Sequence, residues 1–206
     1  MSMGRTTTAI VDYGVGNLKS ITNAMNYLGL STVITSDGEA LRRADAMILP
    51  GVGAFPDAYD KLRASGLDRV VTEQAGQKPV LGICLGMQLL FDRGEELRAT
   101  PGLGLIPGSV KKISTACKLP HIGWNSLHFQ NHSPLFAGLP DGAYVYFVHT
   151  YCGAACHESD VIARTEYGAS VVAAVGRGNV FGCQFHPEKS GEAGLQILKN
   201  FGELCR

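Results

Sequence analysis

Three short stretches carry side chains whose types and spacing suit acyl-transfer chemistry. The first is Gly82-Ile83-Cys84-Leu85-Gly86, set between a β-rich apolar run and an apolar, helix-like run. A nucleophile flanked by small residues at a strand-to-helix junction is the pattern of a nucleophile elbow, a strained turn that holds its side chain in the open. The N–H groups opening the next helix favour a thiolate and a developing oxyanion. Taken alone, the segment suits a small buried thiol equally well. The second stretch is QFHPEKS, residues 184–190, with His186 and Glu188 two apart. In extended chain, residues i and i+2 point the same way, so the carboxylate can fix the imidazole tautomer and stabilise its charged form. The bland alternative is a surface histidine beside an incidental glutamate. The third is Pro50-Gly51-Val52-Gly53, a glycine-rich turn able to offer backbone N–H groups to an oxyanion. The N–H of Leu85 is the second donor expected by analogy with other elbows. By itself, PGVG also reads as a plain turn. Together these groups would cleave a carbonyl–heteroatom bond through a thioester.

Such groups need a scaffold that brings strand ends together. Residues 6–11, 31–35, 45–49 and 79–83 read as strands. A helix starts at Asn17, a plausible N-cap, with Leu18, Ile21, Met25 and Leu28 on one face and Gly29 as its stop. Further helical pattern covers 38–43 and 55–76. This alternation predicts an α/β fold, a doubly wound and mostly parallel central sheet. The second half is β-rich, with strands expected at 108–113, 122–129, 143–149, 160–166, 170–175 and 179–185, and a helix from about 191 to 204 closes the chain. No linker or repeat interrupts it, so residues 1–206 are expected to be one domain. In open α/β sheets ligands bind at the carboxyl ends of the strands. The DYGVGN turn (12–17), the PGVG turn and the Cys84 turn all fall there.

Composition narrows the classes. Eighteen basic residues balance 18 acidic ones, and 45% of the 206 residues are hydrophobic. No basic excess points to nucleic acid. The first ten residues hold no long apolar stretch, so no secretory signal or membrane span is expected and the chain reads as cytoplasmic. The six cysteines then read as reduced thiols. Cys152 and Cys156 have three residues between them, and no Cys/His spacing resembles a zinc site, so neither metal nor cofactor is expected.

With these motifs in the order PG-x-G, G-x-C-x-G-x-Q and HPE, the sequence resembles the class I (triad) glutamine amidotransferases along its whole length. DYGVGNL (12–18), PGVGAF (50–55), GICLGMQLLF (82–91), PHIGWN (120–125), YFVHTY (146–151) and QFHPEKS narrow the resemblance to the glutaminase subunits of imidazole glycerol phosphate synthases. The resemblance implies a Cys84, His186 and Glu188 triad that hydrolyses L-glutamine, with an oxyanion hole at Val52, Gly53 and Leu85. It implies that Gly51, Gln88, Glu96, His149, Thr150 and Tyr151 hold the substrate. Glu96, in the polar stretch DRGEEL, would meet the ammonium. It also implies a heterodimeric partner, a (β/α)8-barrel synthase (cyclase) subunit, to which ammonia is channelled. Asn17, Trp124, Tyr144, Tyr146 and Lys189 match interface or relay positions, and Trp124 is the one tryptophan. In the family the partner's ligand is thought to set the Val52 peptide, so the isolated chain is expected to be nearly inactive.

Three rivals stay open. A paralogous glutaminase subunit could feed ammonia to a surface-sugar amidotransferase, and the triad does not distinguish the two. A non-catalytic regulatory subunit would ordinarily lack a triad member, and all three are present. A cysteine peptidase or chaperone on a related fold would place histidine directly after the elbow cysteine, where this chain has Leu85.

Overall fold

A computed structural model describes residues 6–205. Its first part alternates as expected: β1 (Thr7–Val11), α1 (Leu18–Tyr27), β2 (Ser31–Thr35), α2 (Gly38–Arg43), β3 (Ala46–Leu49), α3 (Phe55–Ala64), α4 (Leu67–Ala75), β4 (Val80–Ile83) and α5 (Leu85–Leu89). There follow β5 (Phe91–Gly94), β6 (Thr100–Pro101), β7 (Ile106–Lys112), β8 (His121–Ser126) and β9 (His128–Phe129). Then come β10 (Tyr144–His149), β11 (Tyr151–Ala155), β12 (Val161–Glu166), β13 (Ser170–Arg177), β14 (Val180–Cys183) and α6 (Gly191–Glu203).

The described residues form a central sheet of eight strands in the order β2-β1-β3-β4-β14-β13-β12-β9. From β2 to β14 every pairing is parallel. From β14 to β9 every pairing is antiparallel. A four-stranded sheet (β11-β7-β5-β6) and a two-stranded ribbon (β10-β8) are added to it.

Strand periodicity explains the two layers of core. Ala9 and Val11 of β1 join a cluster with Leu41, Phe55, Leu62 and Val71, from α2, α3 and α4. Ile10, between them, points to the other face and joins Ile21, Met25, Ile197 and Phe201, from α1 and α6. Strands buried on both faces read as continuous apolar runs, as AIV and VLGI do. Ends are set locally. Asn17 caps α1, its side chain accepting from the Ser20 N–H at 3.3 Å, and Gly29 follows the helix at φ +71°.

The 55–76 helix is in fact two, parted at Ser65-Gly66, where Gly66 takes φ +73°. A left-handed residue cannot continue an α-helix, and glycine adopts it without steric cost. The helical run after Cys84 is shorter than its apolar length suggests. It ends by Leu90, and Phe91 turns into β5. The 122–129 strand is interrupted at Leu127. β5, β6 and β11 have no counterpart among the predicted strands. The sequence YCGAA of β11 lacks alternation because Gly153 sits against the Phe91 ring, where a Cβ would collide with it.

Gly66 has open space around a virtual Cβ, so only its backbone angle matters. Gly66→Ala is expected to destabilise the fold by about 1 kcal/mol in urea titration, and Gly66→Asn by less, since asparagine tolerates the left-handed region.

Candidate active site

Cys84 is the N-cap residue of α5 at φ 55°, ψ −112°, a rare conformation for a side-chain-bearing residue. Its N–H donates to the Cys183 carbonyl at 2.7 Å, so the strand hydrogen bonding of β14 runs right up to the turn. The flanking glycines are steric requirements. A Cβ on Gly82 would lie 2.6 Å from the Gly86 carbonyl oxygen. A Cβ on Gly86 would fall on the Leu49 carbonyl at the end of β3, and one on Gly51 would lie 2.6 Å from the Gly86 N. The Cys84 turn and the PGVG turn are therefore packed backbone to backbone. This brings Val52 and Gly53 beside Cys84 and Leu85, all four lining one cleft of about 370 Å³. Gly53 takes φ +95°, and Val52 is 45% exposed. The Leu85 N–H lies in the first helical turn, where backbone donors have no acceptor within the helix.

His186 meets this cleft from the loop after β14, with Glu188 behind it. His186 Nδ1 lies 2.8 Å from Glu188 Oε1, and both side chains are almost wholly buried. Burial alone would lower the imidazole pKa. Interaction with Cys84 and Glu188 outweighs it and raises the value to about 9. At neutral pH the ring is thus an imidazolium, with Nδ1 on the carboxylate and its other edge toward the sulfur. The loop is held by its backbone: the His186 N–H donates to the Tyr146 carbonyl at 2.9 Å. The Ser190 hydroxyl donates to the His186 carbonyl at 2.6 Å and accepts from the Tyr146 N–H at 3.0 Å.

Gln88, Glu96, His149, Thr150, Tyr151 and Lys189 line the same cleft. Gln88 Nε2 donates to the Tyr151 carbonyl at 2.9 Å and to Gln184 Oε1 at 3.0 Å, so its own oxygen is left for a ligand. Glu96 Oε2 accepts from the Phe55 N–H at 2.8 Å, at the start of α3. That bond aims the carboxylate and leaves Oε1 for a cation. Burial lowers the His149 pKa to about 4, so its ring is neutral. Gly51 does not line the cleft but wedges under it, as above.

The remaining predicted residues lie apart from the sulfur. Trp124 and Tyr144 are 55% and 62% exposed on the ribbon β10-β8, where Tyr146 pairs opposite Trp124. Asn17 caps α1, with Asp12 to Gly16 leading into it at the same end of the sheet. Sequence reasoning missed Tyr13, Gln184, Ser190 and His121. Tyr13 is buried and donates from Oη to the Pro50 carbonyl at 2.7 Å. Each stands inside one of the sequence motifs, but only its partner across the fold reveals what it does. Among the described residues, no group of three or more His, Cys, Asp or Glu is gathered as for a metal ion, and no helix is long and apolar enough to cross a membrane.

The family "Glutamine amidotransferase class-I" matches residues 9–204. Imidazole glycerol phosphate synthase subunit HisH of Bacillus cereus (strain G9842) is 52% identical over 194 residues, covering 94% of this chain and 92% of that protein. The same subunit of Bacillus thuringiensis (strain Al Hakam) is 50% identical over the same shares. Among solved structures, a putative GMP synthase subunit from Thermoplasma acidophilum matches with TM-score 0.75 at 24% identity, covering 98% of this chain and 94% of that one. Another, described as a glutamine amidotransferase, matches with TM-score 0.76 at 22% identity, covering 96% and 98%. These two structures share the fold.

The raised His186 value has a testable sign. Its folded-state pKa lies above the ordinary 6.5, so the stability it contributes is full below about pH 6.5 and is lost as pH rises through about 9. NMR titration of His186 is expected to give a midpoint near 9, falling in both Cys84→Ser and Glu188→Gln. A midpoint unmoved by either change would mean that neither partner holds the charge.

Proposed function

The chain belongs to the class-I glutamine amidotransferase family, and from that premise we propose that it is the glutaminase subunit of an imidazole glycerol phosphate synthase, acting in histidine biosynthesis. The observation that carries this is the Cys84 elbow facing the His186–Glu188 pair across one cleft, in a chain about half identical to the HisH subunits over nearly its whole length. Cys84 and Leu85 open the cleft on one side, Val52 and Gly53 on another, and the His149–Tyr151 wall closes it.

In the proposed reaction the Cys84 sulfur attacks the side-chain carboxamide carbon of L-glutamine. The carbonyl oxygen becomes an oxyanion, met by N–H groups of Leu85 and of the Val52–Gly53 turn. His186, already an imidazolium, gives its proton to the departing nitrogen. The C–N bond breaks, and ammonia and a glutamyl thioester remain. The neutral ring then accepts a proton from water as its oxygen attacks the thioester. Glutamate leaves as the sulfur departs as thiolate, and the thiolate–imidazolium pair that began the cycle is restored. Water supplies the only atoms added. Gly51 shapes the floor, Gln88 accepts from the substrate with its free oxygen, Glu96 takes the ammonium, and the 149–151 wall holds the carboxylate.

The chain works with a partner synthase subunit. In the finer reading that partner is a (β/α)8-barrel cyclase, joined as a heterodimer through Asn17, Trp124, Tyr144, Tyr146 and Lys189, and ammonia passes to it without entering water. The exposed aromatic face of the ribbon supports this, since exposed Trp and Tyr clusters mark interfaces. Residues 1–206 are read as a single domain, supported by a family match over 9–204. The protein is read as cytoplasmic.

Glutamate release is expected to be nearly absent for the isolated chain and to rise strongly with the synthase subunit and its ribotide. Cys84→Ala is expected to abolish glutamine-dependent synthesis, a loss of about 10³-fold or more, while synthesis from added ammonia persists. Equal glutamate release with and without the partner would sink the gated reading. A Cys84 inert to a glutamine-like alkylating agent, with no turnover, would sink the glutaminase reading.

A further inference from the structure

Behind the cleft wall a chain of buried and half-buried hydrogen bonds links β8 to the nucleophile, and its polarity can be derived atom by atom. The Tyr151 carbonyl can only accept, so His149 Nδ1, 2.8 Å away, must carry hydrogen. The ring is neutral, held so by burial, so its Nε2 must accept. The atom facing it is His121 Nδ1 at 3.1 Å, which must therefore donate. Burial also lowers the His121 pKa, favouring a neutral ring there whose Nε2 accepts in turn. Asn125 Nδ2 faces that atom at 3.3 Å. The Asn125 amide cannot be flipped, because Oδ1 accepts from the Ser126 N–H at 2.8 Å and Nδ2 donates to the Glu166 carbonyl at 2.9 Å. The His121 ring is clamped between Phe147 and Tyr167, stacked on both at centroid distances of 4.7 and 4.0 Å.

The far end of the chain is the site itself. The Tyr151 carbonyl accepts a second bond, from Gln88 Nε2, and Gln88 in turn donates to Gln184. Gln184 Nε2 lies 3.9 Å from Cys84 Sγ. A single carbonyl is thus the shared acceptor of the wall and of the substrate-facing glutamine.

We propose that His121 is a positioning residue for glutamine hydrolysis. Clamped by two rings and oriented by Asn125, it fixes the tautomer of His149. Through the Tyr151 carbonyl it sets both the 149–151 wall and the Gln88 oxygen that faces the substrate. This builds on the glutaminase reading above, in which those groups bind glutamine. Without the His121 donor, His149 Nε2 would be a buried acceptor with no partner. The ring then gains by taking the other tautomer or by rotating, and the Tyr151 carbonyl loses one of its two donors.

The test uses the full chain in complex with its synthase subunit and ribotide ligand. His121→Phe keeps a ring to stack but removes the donor, and His121→Asn restores an N–H near the Nδ1 position. For His121→Phe, KM for glutamine is expected to rise about tenfold or more with a smaller change in kcat, and His121→Asn should recover most of it. Nitrogen-15 spectra of the unaltered protein are expected to show both His121 and His149 protonated at Nδ1, and His149 should lose that pure state in His121→Phe. The relay is overturned if either ring is protonated at Nε2 alone in the unaltered protein. It is equally overturned if folded His121→Phe keeps its KM. Should His121→Phe fail to fold, the tautomers of the unaltered protein still decide. A complex that releases no glutamate at all overturns the glutaminase reading instead, and the same spectra then judge the relay independently.

Discussion

The structure depends on one close approach between backbones. The Gly86 backbone sits directly against the Leu49 carbonyl at the end of β3, with no room for any side chain, and Gly51 approaches Gly86 in the same way. Two neighbouring parallel strands, β3 and β4, each end in a turn, and the turns can touch only because Gly51 and Gly86 bring no side chains to the contact. Larger residues would push the PGVG segment away from the elbow. The Val52–Gly53 turn would then no longer line the cleft beside Cys84. Strain at Cys84, at φ 55°, is held in place by the same contact, since the turn cannot relax without moving β3. Tyr13 adds a third side: its hydroxyl on the Pro50 carbonyl ties the turn after β1 to the turn after β3.

Opposite this apolar, backbone-built side stands a polar one. The Glu188 side chain is wholly buried, and its second oxygen, Oε2, has no hydrogen-bond partner among the described residues. A buried carboxylate so sparsely satisfied is costly unless a charge lies close. His186 supplies it, which is a physical reason for the imidazole to hold its proton. Around the pair, Ser190 and the Tyr146 backbone hold the loop without competing for either the ring or the carboxylate. The charge is thereby committed to the line from Glu188 through His186 to Cys84.

Much of this is legible in the sequence because glycine spacing and hydrophobic periodicity are local signals. The elbow, the PGVG turn, the His186–Glu188 spacing and the β-α alternation through β4 each follow from a few adjacent residues. Where the sequence misleads, a backbone angle or a long-range contact is the cause. The break at Gly66 turns on one backbone angle inside an otherwise helical pattern. β5 grows from an apolar run that reads as helix, because pairing of Phe91 with β7 overrides it. β11 pairs with β7 across a large loop, and its small residues fit only because Phe91 lies over Gly153. His121 and Gln184 stand within recognisable motifs that assign them no role. Their chemistry lies in partners 28 and 96 residues away, at His149 and Gln88.

The ribbon of β8 and β10 presents two unlike faces from adjacent residues. Alternation along each strand sends Ile122 and Trp124 of β8 outward, opposite Val148 and Tyr146 of β10. The same alternation sends His121 and Asn125 inward, opposite His149 and Val145. Successive residues thus face two different environments, a surface with exposed aromatics and an inner layer that carries His121 and His149. A load on the outer face need not travel far, because a strand cannot move one set of side chains without moving the other. Trp124 and His121 are on one strand, three residues apart, and the loop carrying His186 hangs from Tyr146 on the other. The ribbon therefore joins its outer face to both the 149–151 cleft wall and the imidazole through covalent chain and single hydrogen bonds, with no intervening helix or domain.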